Sequence, residues 1–142
     1  MMVHCCHCRW CQRETGSAFV LNALVERDRL VVTQGRTATV PLPTHSGRGQ
    51  KVERCPQCQV ALWSHYPGGG DAIAFVRAGT LDTPEAVSPD VHIYTGSRLP
   101  WVALPEGVPA FAEFYDPATQ WSPQTRQRYR EAQQRHAGAT PA

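Results

Sequence analysis

Short, mostly apolar runs of strand length recur between residues 19 and 94 and predict β-strands. The predicted strands are residues 19–26, 30–33, 38–42, 60–66, 72–78 and 91–94. Glycine, proline and other turn-forming residues separate most of these runs. The pattern therefore predicts a mainly β domain of antiparallel strands with little helix.

Two segments have a helical or irregular pattern instead. Residues 12–16 are polar and end in glycine, which predicts a short helical turn with a glycine cap. Residues 44–50 are expected to form an exposed loop, and a further strand leads from it into the second pair of cysteines. From residue 117 the chain is polar nearly all round, so we expect residues 1–116 to form the domain and residues 117–142 a polar helix or tail.

Composition narrows the class of protein without naming a partner. The 142 residues fit one domain, and 14 Lys and Arg residues against 12 Asp and Glu residues give a net charge of +2. That balance has no basic excess for binding nucleic acid or an anionic membrane. Apolar runs are only strand-sized and no secretion signal is evident, so a cytoplasmic protein that does not enter a membrane is expected.

The six cysteines are the strongest chemical signal. Cys5, Cys6, Cys8 and Cys11 open the chain within the sequence HCCHCRWC, and Cys55 and Cys58 follow near its middle. Cys-x-Cys and Cys-x-x-Cys spacings without an export signal favour metal ligands over disulfides. Thiolate ligands at these spacings are typical of zinc sites.

Spacing alone leaves two arrangements of metal ligands open. In the first, Cys8 and Cys11 join Cys55 and Cys58 in one closed, four-thiolate structural site. Spacing slightly favours this arrangement, because it uses two complete Cys-x-x-Cys pairs and leaves no site short of ligands. In the second, Cys6, Cys8 and Cys11 form an open site and the later pair belongs to a separate structural site. The open site keeps a vacant fourth position unless Cys5, His4 or His7 fills it.

Several other residues are weaker candidates for function, and each also has an ordinary structural explanation. Arg13 and Arg48 could bind a substrate carboxylate or be solvated. Thr15 and Ser17 could cap a turn or contact substrate. His92 could transfer a proton or pack in its strand, and Trp63 and Trp101 could line the core or a pocket.

Four segments in a fixed order give the chain a resemblance to a known family. They are CHCRWCQRETGSAF, RCPQCQVALW, RAGTLD and HIYTGSRLPWVALPEGVPAF, within residues 4–115. Together they resemble the glutathione-dependent formaldehyde-activating enzyme family, which includes the centromere protein V domain. The resemblance implies a β-tent fold of antiparallel strands with two zinc sites. It matches Cys6, Cys8 and Cys11 to the open catalytic zinc and Cys55 and Cys58 to half of the structural zinc.

One departure from the family pattern lies at the start of the chain. Family members usually begin with a Gly-x-Cys-x-Cys-Gly segment and a strand that complete the structural zinc site. This sequence begins after both, so an N-terminally short form with a start further upstream is expected, and structural zinc is in question. A missing strand exposes a sheet edge, which predicts pairing into a homodimer.

The resemblance also implies a reaction. Three cysteinates make zinc a weak Lewis acid toward carbonyls but a good holder of a thiolate, which suits chemistry at a carbon–sulfur bond. The expected function is a zinc-dependent carbon–sulfur lyase or synthase that acts on an adduct of glutathione and an aldehyde such as formaldehyde. The alternative is a non-catalytic zinc-binding module for protein or nucleic acid, and the low net charge disfavours nucleic acid.

Overall fold

The computed structural model describes residues 1–44 and 46–139. Two predicted segments extend beyond this part: the loop at 44–50 includes His45, and the C-terminal tail includes residues 140–142, which all lie outside the described residues.

The described residues form seven strands and three α-helices, joined by turns and short 3-10 segments. The strands are β1 (Met2–Cys6), β2 (Val20–Glu26), β3 (Ala38–Leu42), β4 (Gln50–Arg54), β5 (Ala61–His65), β6 (Ile73–Arg77) and β7 (Val91–Ile93). The helices are α1 (Arg9–Thr15), α2 (Pro117–Gln120) and α3 (Pro123–Ala139).

All seven strands belong to one sheet in the order β3-β4-β5-β6-β2-β1-β7. Every strand pair is antiparallel except β1 and β7, which run parallel. The prediction of a mainly β fold of largely antiparallel strands with little helix is confirmed. Within the described residues, no helix combines the length and apolar character needed to cross a bilayer.

The sequence pattern failed at two places. The strand predicted at residues 30–33 is wrong, because this segment pairs with no strand and leaves Val31 78% and Val32 44% exposed. β-Branched residues favour a strand only where a neighbour covers them. Conversely, β1 was not predicted, because its run of methionine, histidine and cysteine residues lacks the usual strand composition.

The edges of the sheet differ in how they are covered. Beyond β7, the His92 amide donates to the Pro109 carbonyl at 2.8 Å and the Phe111 amide donates to the His92 carbonyl at 3.0 Å. β3 forms the opposite edge of the sheet, and no strand of the described residues pairs with its outer side. Pairing into a homodimer stays a prediction, and β3 is the edge on which it would occur.

The last helix packs against the sheet along one side. Ala132 of α3 is buried with Leu24 and Ile73, and Tyr129 packs against the same cluster. Although α3 is polar in composition, these contacts bury one apolar face of the helix against the sheet. The boundary at residues 116 and 117 stays a prediction.

An ion pair between a buried carboxylate and a half-buried arginine also holds α3 to the sheet. Both carboxylate oxygens of Glu26 accept hydrogen bonds from Arg128, from Nε at 2.7 Å and from Nη2 at 2.8 Å. The Glu26 side chain is 3% exposed, whereas that of Arg128 is 35% exposed. The hydrogen bonds from Arg128 lower the pKa of Glu26 to about 2. The carboxylate therefore stays charged in the folded protein at pH values where it is protonated in the unfolded chain.

We expect Glu26→Gln to lower the free energy of unfolding by roughly 1–3 kcal/mol near neutral pH, because Arg128 loses a charged partner. Since the folded pKa is depressed, this contribution is complete above the ordinary value of 4.5 and is lost as pH falls toward about 2. Urea unfolding at a series of pH values measures the difference.

Asp28→Asn is the matched control, because Asp28 and Arg135 form an ion pair in which both side chains are 50% exposed. That variant should leave the urea midpoint nearly unchanged. An equal loss of stability in both variants would contradict the role given to Glu26.

Candidate metal centre

The link between β1 and α1 is only two residues long, and it brings three cysteines together. Cys6 is the last residue of β1, Cys8 is the N-cap of α1, and Cys11 lies in the first turn of that helix. Gly16 ends α1 in the left-handed conformation with φ 64°, so the helical turn and glycine cap predicted from sequence are present.

The sulfur atoms of Cys6, Cys8 and Cys11 all lie within 4.8 Å of one another. We refer to these three residues as the thiol triad. Cys6 and Cys11 are buried in the core with Val20 and Ile93, whereas Cys8 is half-buried. The triad therefore has an apolar floor and one partly open side.

Hydrogen bonds within the triad distribute the thiol protons unevenly. The Cys8 sulfur accepts from the Cys11 backbone amide at 3.3 Å, at the N-terminus of α1. Hydrogen bonds from the Cys11 and Cys6 thiols lower the pKa of Cys8, whereas the hydrogen bonds of Cys6 to Cys11 and to Cys8, together with burial, raise the pKa of Cys6. Without a cation, the triad thus favours one thiolate at Cys8 rather than three.

Zinc fits this donor set. Three soft sulfur ligands converge from one short segment, and a divalent cation would offset the charge of three neighbouring thiolates. Among the described residues no fourth ligand atom joins the group. His4, a sequence candidate for the fourth position, instead has its Nε2 2.6 Å from the Tyr115 hydroxyl.

The segment after β7 packs over the start of α1. The Gln12 side-chain amide donates to the carbonyls of His7 at 2.7 Å and Ser97 at 3.0 Å. Tyr94 has a left-handed backbone with φ 56° and is 36% exposed. Burial raises the pKa of Tyr94, and so does negative charge on Cys6 and Cys8.

His7, Cys5 and His92 form a second group on the other side of β1. His7 Nε2 lies 3.0 Å from His92 Nδ1 and 3.5 Å from the Cys5 sulfur. Burial lowers the pKa of His7 to about 4 and lowers that of His92, so both rings are neutral at pH 7. His7 is therefore directed away from the thiol triad, and His92 is a buried strand residue.

Cys55 and Cys58 lie in a tight turn between β4 and β5. The Cys55 amide donates to the Val60 carbonyl and the Gln59 amide donates to the Cys55 carbonyl, both at 3.0 Å. Backbone amides of Cys58 and Gln57 lower the pKa of the Cys55 thiol. Neither sulfur joins the thiol triad. Cys6, Cys8 and Cys11 are thus grouped apart from the later pair among the described residues, and the assignment of either set to a metal stays a prediction.

A buried ion pair network lies beside the last turn of α1. Glu14 accepts from Arg54 at 2.5 Å and from Arg77 at 3.1 Å. Arg77 is also hydrogen-bonded to Ser64 at 2.8 Å and to Asn22. Sequence reasoning missed these residues as a group, although an arginine inside the apolar run 72–78 was a usable signal.

Of two cavities among the described residues, one is next to the helix of the triad. The larger, about 530 Å³, is lined by residues that include Arg48 and Lys51 and none from α1. The smaller, about 460 Å³, is lined by Glu14, Arg54 and Arg77 among others. Glu14 and Thr15 in that lining belong to α1, the helix that carries Cys11. The smaller cavity is thus the better candidate for a substrate site.

Comparison with known families decides the membership of the chain. A family model described as glutathione-dependent formaldehyde-activating enzyme matches residues 1–97. The chain belongs to this family. The match covers β1 to β7, and with them the thiol triad and the Cys55 and Cys58 turn. A comparison with curated proteins gives no match.

The remaining sequence candidates are dispersed over this family member. Arg13, Thr15 and Ser17 are exposed, and the Thr15 hydroxyl donates to the Cys11 carbonyl at 2.7 Å. Trp63 is buried, whereas Trp101 is 75% exposed. The structure does not gather these side chains into one site with the thiol triad.

We expect the triad to hold about one zinc ion per chain. A background with Cys55→Ser and Cys58→Ser isolates this site from the exposed pair. In that background, Cys11→Ser removes one of three ligands and should weaken zinc binding by more than about 100-fold. Native mass spectrometry of reduced, zinc-loaded protein measures the metal content.

Ser17→Ala, an exposed change just beyond α1, is the control and should keep the zinc. Undiminished zinc in Cys11→Ser would show that these three sulfurs are not the ligands.

Proposed function

We propose that this chain is a zinc-dependent carbon–sulfur lyase or synthase that acts on an adduct of glutathione and an aldehyde. The observation that carries the proposal is the convergence of three sulfurs at the N-terminus of α1 without a fourth ligand from the described residues. Membership of the glutathione-dependent formaldehyde-activating enzyme family supports the same chemistry.

In this proposal Cys6, Cys8 and Cys11 hold the catalytic zinc. When bound, zinc supplies a position at which a substrate thiol is held as its thiolate near neutral pH. In the synthetic direction a carbon–sulfur bond forms between glutathione and the aldehyde carbon, and the proton lost from the thiol ends on the former carbonyl oxygen. Because the addition also occurs without a catalyst, orientation of the two reactants is a major part of the contribution of the protein.

The residues of the smaller cavity are suited to the charges of glutathione. Glutathione carries two carboxylates and one ammonium group at neutral pH, which gives it a net negative charge. Arg54 and Arg77 with Glu14 carry a net positive charge, and Glu14 and Arg77 are buried and paired with each other. Arg54, whose side chain is 21% exposed, would bind a substrate carboxylate. None of the triad cysteines lines this cavity, so the proposal requires the substrate to extend from the cavity along α1 to the thiol triad.

Cys55 and Cys58 are proposed as ligands of a second zinc with a structural role. The backbone amides directed at the Cys55 sulfur favour its thiolate form, as in other zinc knuckles. All six cysteines are free, which suits a reducing compartment, and we propose the cytoplasm as the location.

Steady-state kinetics test the activity. Zinc-replete protein should accelerate the loss of formaldehyde in the presence of glutathione above the uncatalysed rate. Cys8→Ala should remove that acceleration, because it removes a zinc ligand. Zinc-replete protein with no acceleration toward formaldehyde or other aldehydes would contradict the enzyme and favour the non-catalytic zinc module.

A second experiment tests the substrate cavity. Arg54→Ala should raise KM for glutathione by about tenfold with a small change in kcat, because a charge-assisted hydrogen bond is lost before the chemical step. Arg130→Ala, an exposed arginine on α3, is the matched control and should leave both constants unchanged. An unchanged KM in Arg54→Ala would place glutathione elsewhere.

A further inference from the structure

The second group of potential ligands, Cys5, His7 and His92, is here called the buried cluster. It arises from strand register. Cys5 and His92 are direct partners in the parallel pairing of β1 and β7, so their side chains lie on the same face of the sheet. His7 follows Cys5 by two residues and lies on that face as well, whereas Cys6 is directed to the opposite face.

The donor atoms of the buried cluster converge. His7 Nε2 is 3.0 Å from His92 Nδ1 and 3.5 Å from the Cys5 sulfur, and all three atoms lie within 4.8 Å of one another. The two rings are nearly parallel, with an interplanar angle of 25°. Separations of this size are those of donor atoms that share one small cation.

The cluster is also closed off from water. Cys5, His7 and His92 are 2%, 0% and 4% exposed. Their mutual contacts cannot satisfy all their polar atoms without a cation. If either ring donates to the other, the single lone pair of the accepting nitrogen is used, and the Cys5 S–H has no good acceptor within the cluster.

A cation bound by one thiolate and two imidazole lone pairs satisfies all three inner atoms at once. The outer nitrogens, His7 Nδ1 and His92 Nε2, have no protein partner among the described residues with or without a cation, so they do not distinguish the two states. A cation thus satisfies one more inner group than the metal-free cluster does, the thiol of Cys5.

We propose that the buried cluster is a second metal site, separate from the thiol triad, which binds a soft monovalent cation of the Cu(I) type. One thiolate and two neutral imidazoles give a neutral complex with Cu(I), whereas a divalent ion leaves a net positive charge in a dry interior. Sulfur and imidazole nitrogen are ligands that suit Cu(I), which accepts three of them. The cluster takes no part in the proposed carbon–sulfur chemistry.

Anaerobic titration with Cu(I) against a chromogenic chelator tests this site. The full chain with Cys55→Ser and Cys58→Ser is used, with zinc loaded at the thiol triad, because the exposed pair would itself capture Cu(I). We expect about one Cu(I) per chain, bound in addition to the zinc. Adding Cys5→Ala to this background should weaken Cu(I) binding by at least about 100-fold, since it removes the only thiolate.

Val3→Ala, a truncation on the same strand, is the control and should keep Cu(I) binding. X-ray absorption at the copper edge of the protein that retains Cys5 gives an independent result if Cys5→Ala fails to fold. A mixed sulfur and nitrogen shell supports the proposal. A shell of sulfur alone, one-for-one displacement of zinc, no added Cu(I), or equal binding by Cys5→Ala would overturn it.

Discussion

Alternation of side chains along β1, together with the two-residue link to α1, is the constraint on which both ligand groups depend. Cys5 and Cys6 are adjacent, so a strand directs them to opposite faces of the sheet. The link then places Cys8 at the helix N-terminus, where its sulfur meets those of Cys6 and Cys11. A one-residue insertion between Cys6 and Cys8 would change the position of the cap and separate the sulfurs.

The sheet holds this short segment from two sides. β1 lies between β2 and β7, so its backbone is paired along both edges. The His7 amide donates to the Ile93 carbonyl at 3.0 Å, which extends the pairing past the end of β1. The three sulfurs of the thiol triad are thereby attached to a rigid scaffold. The chain therefore needs little further ordering when these ligands bind an ion. The Glu14 network fixes the other end of α1 against β4 and β6.

Local sequence patterns predicted the features that depend on neighbours in sequence. Apolar runs of strand length located β2 and β6, and the glycine at position 16 located the end of α1. The close spacing of Cys6, Cys8 and Cys11 indicated one of the two possible ligand groups. Features that depend on distant pairing were out of reach: Cys5 meets His92 only because β1 and β7 are parallel partners. The exposed valines at residues 30–33 show the reverse case, a strand composition without a neighbouring strand.

The central claim is that the thiol triad binds zinc and leaves one position for a substrate thiol. Zinc-edge X-ray absorption of the reduced chain with Cys55→Ser and Cys58→Ser tests it directly, because zinc then occupies the triad alone. The account predicts three sulfur ligands and one oxygen or nitrogen ligand, changing to four sulfur ligands when glutathione is added. Four sulfur ligands before glutathione is added, or a ligand shell that glutathione leaves unchanged, would contradict it.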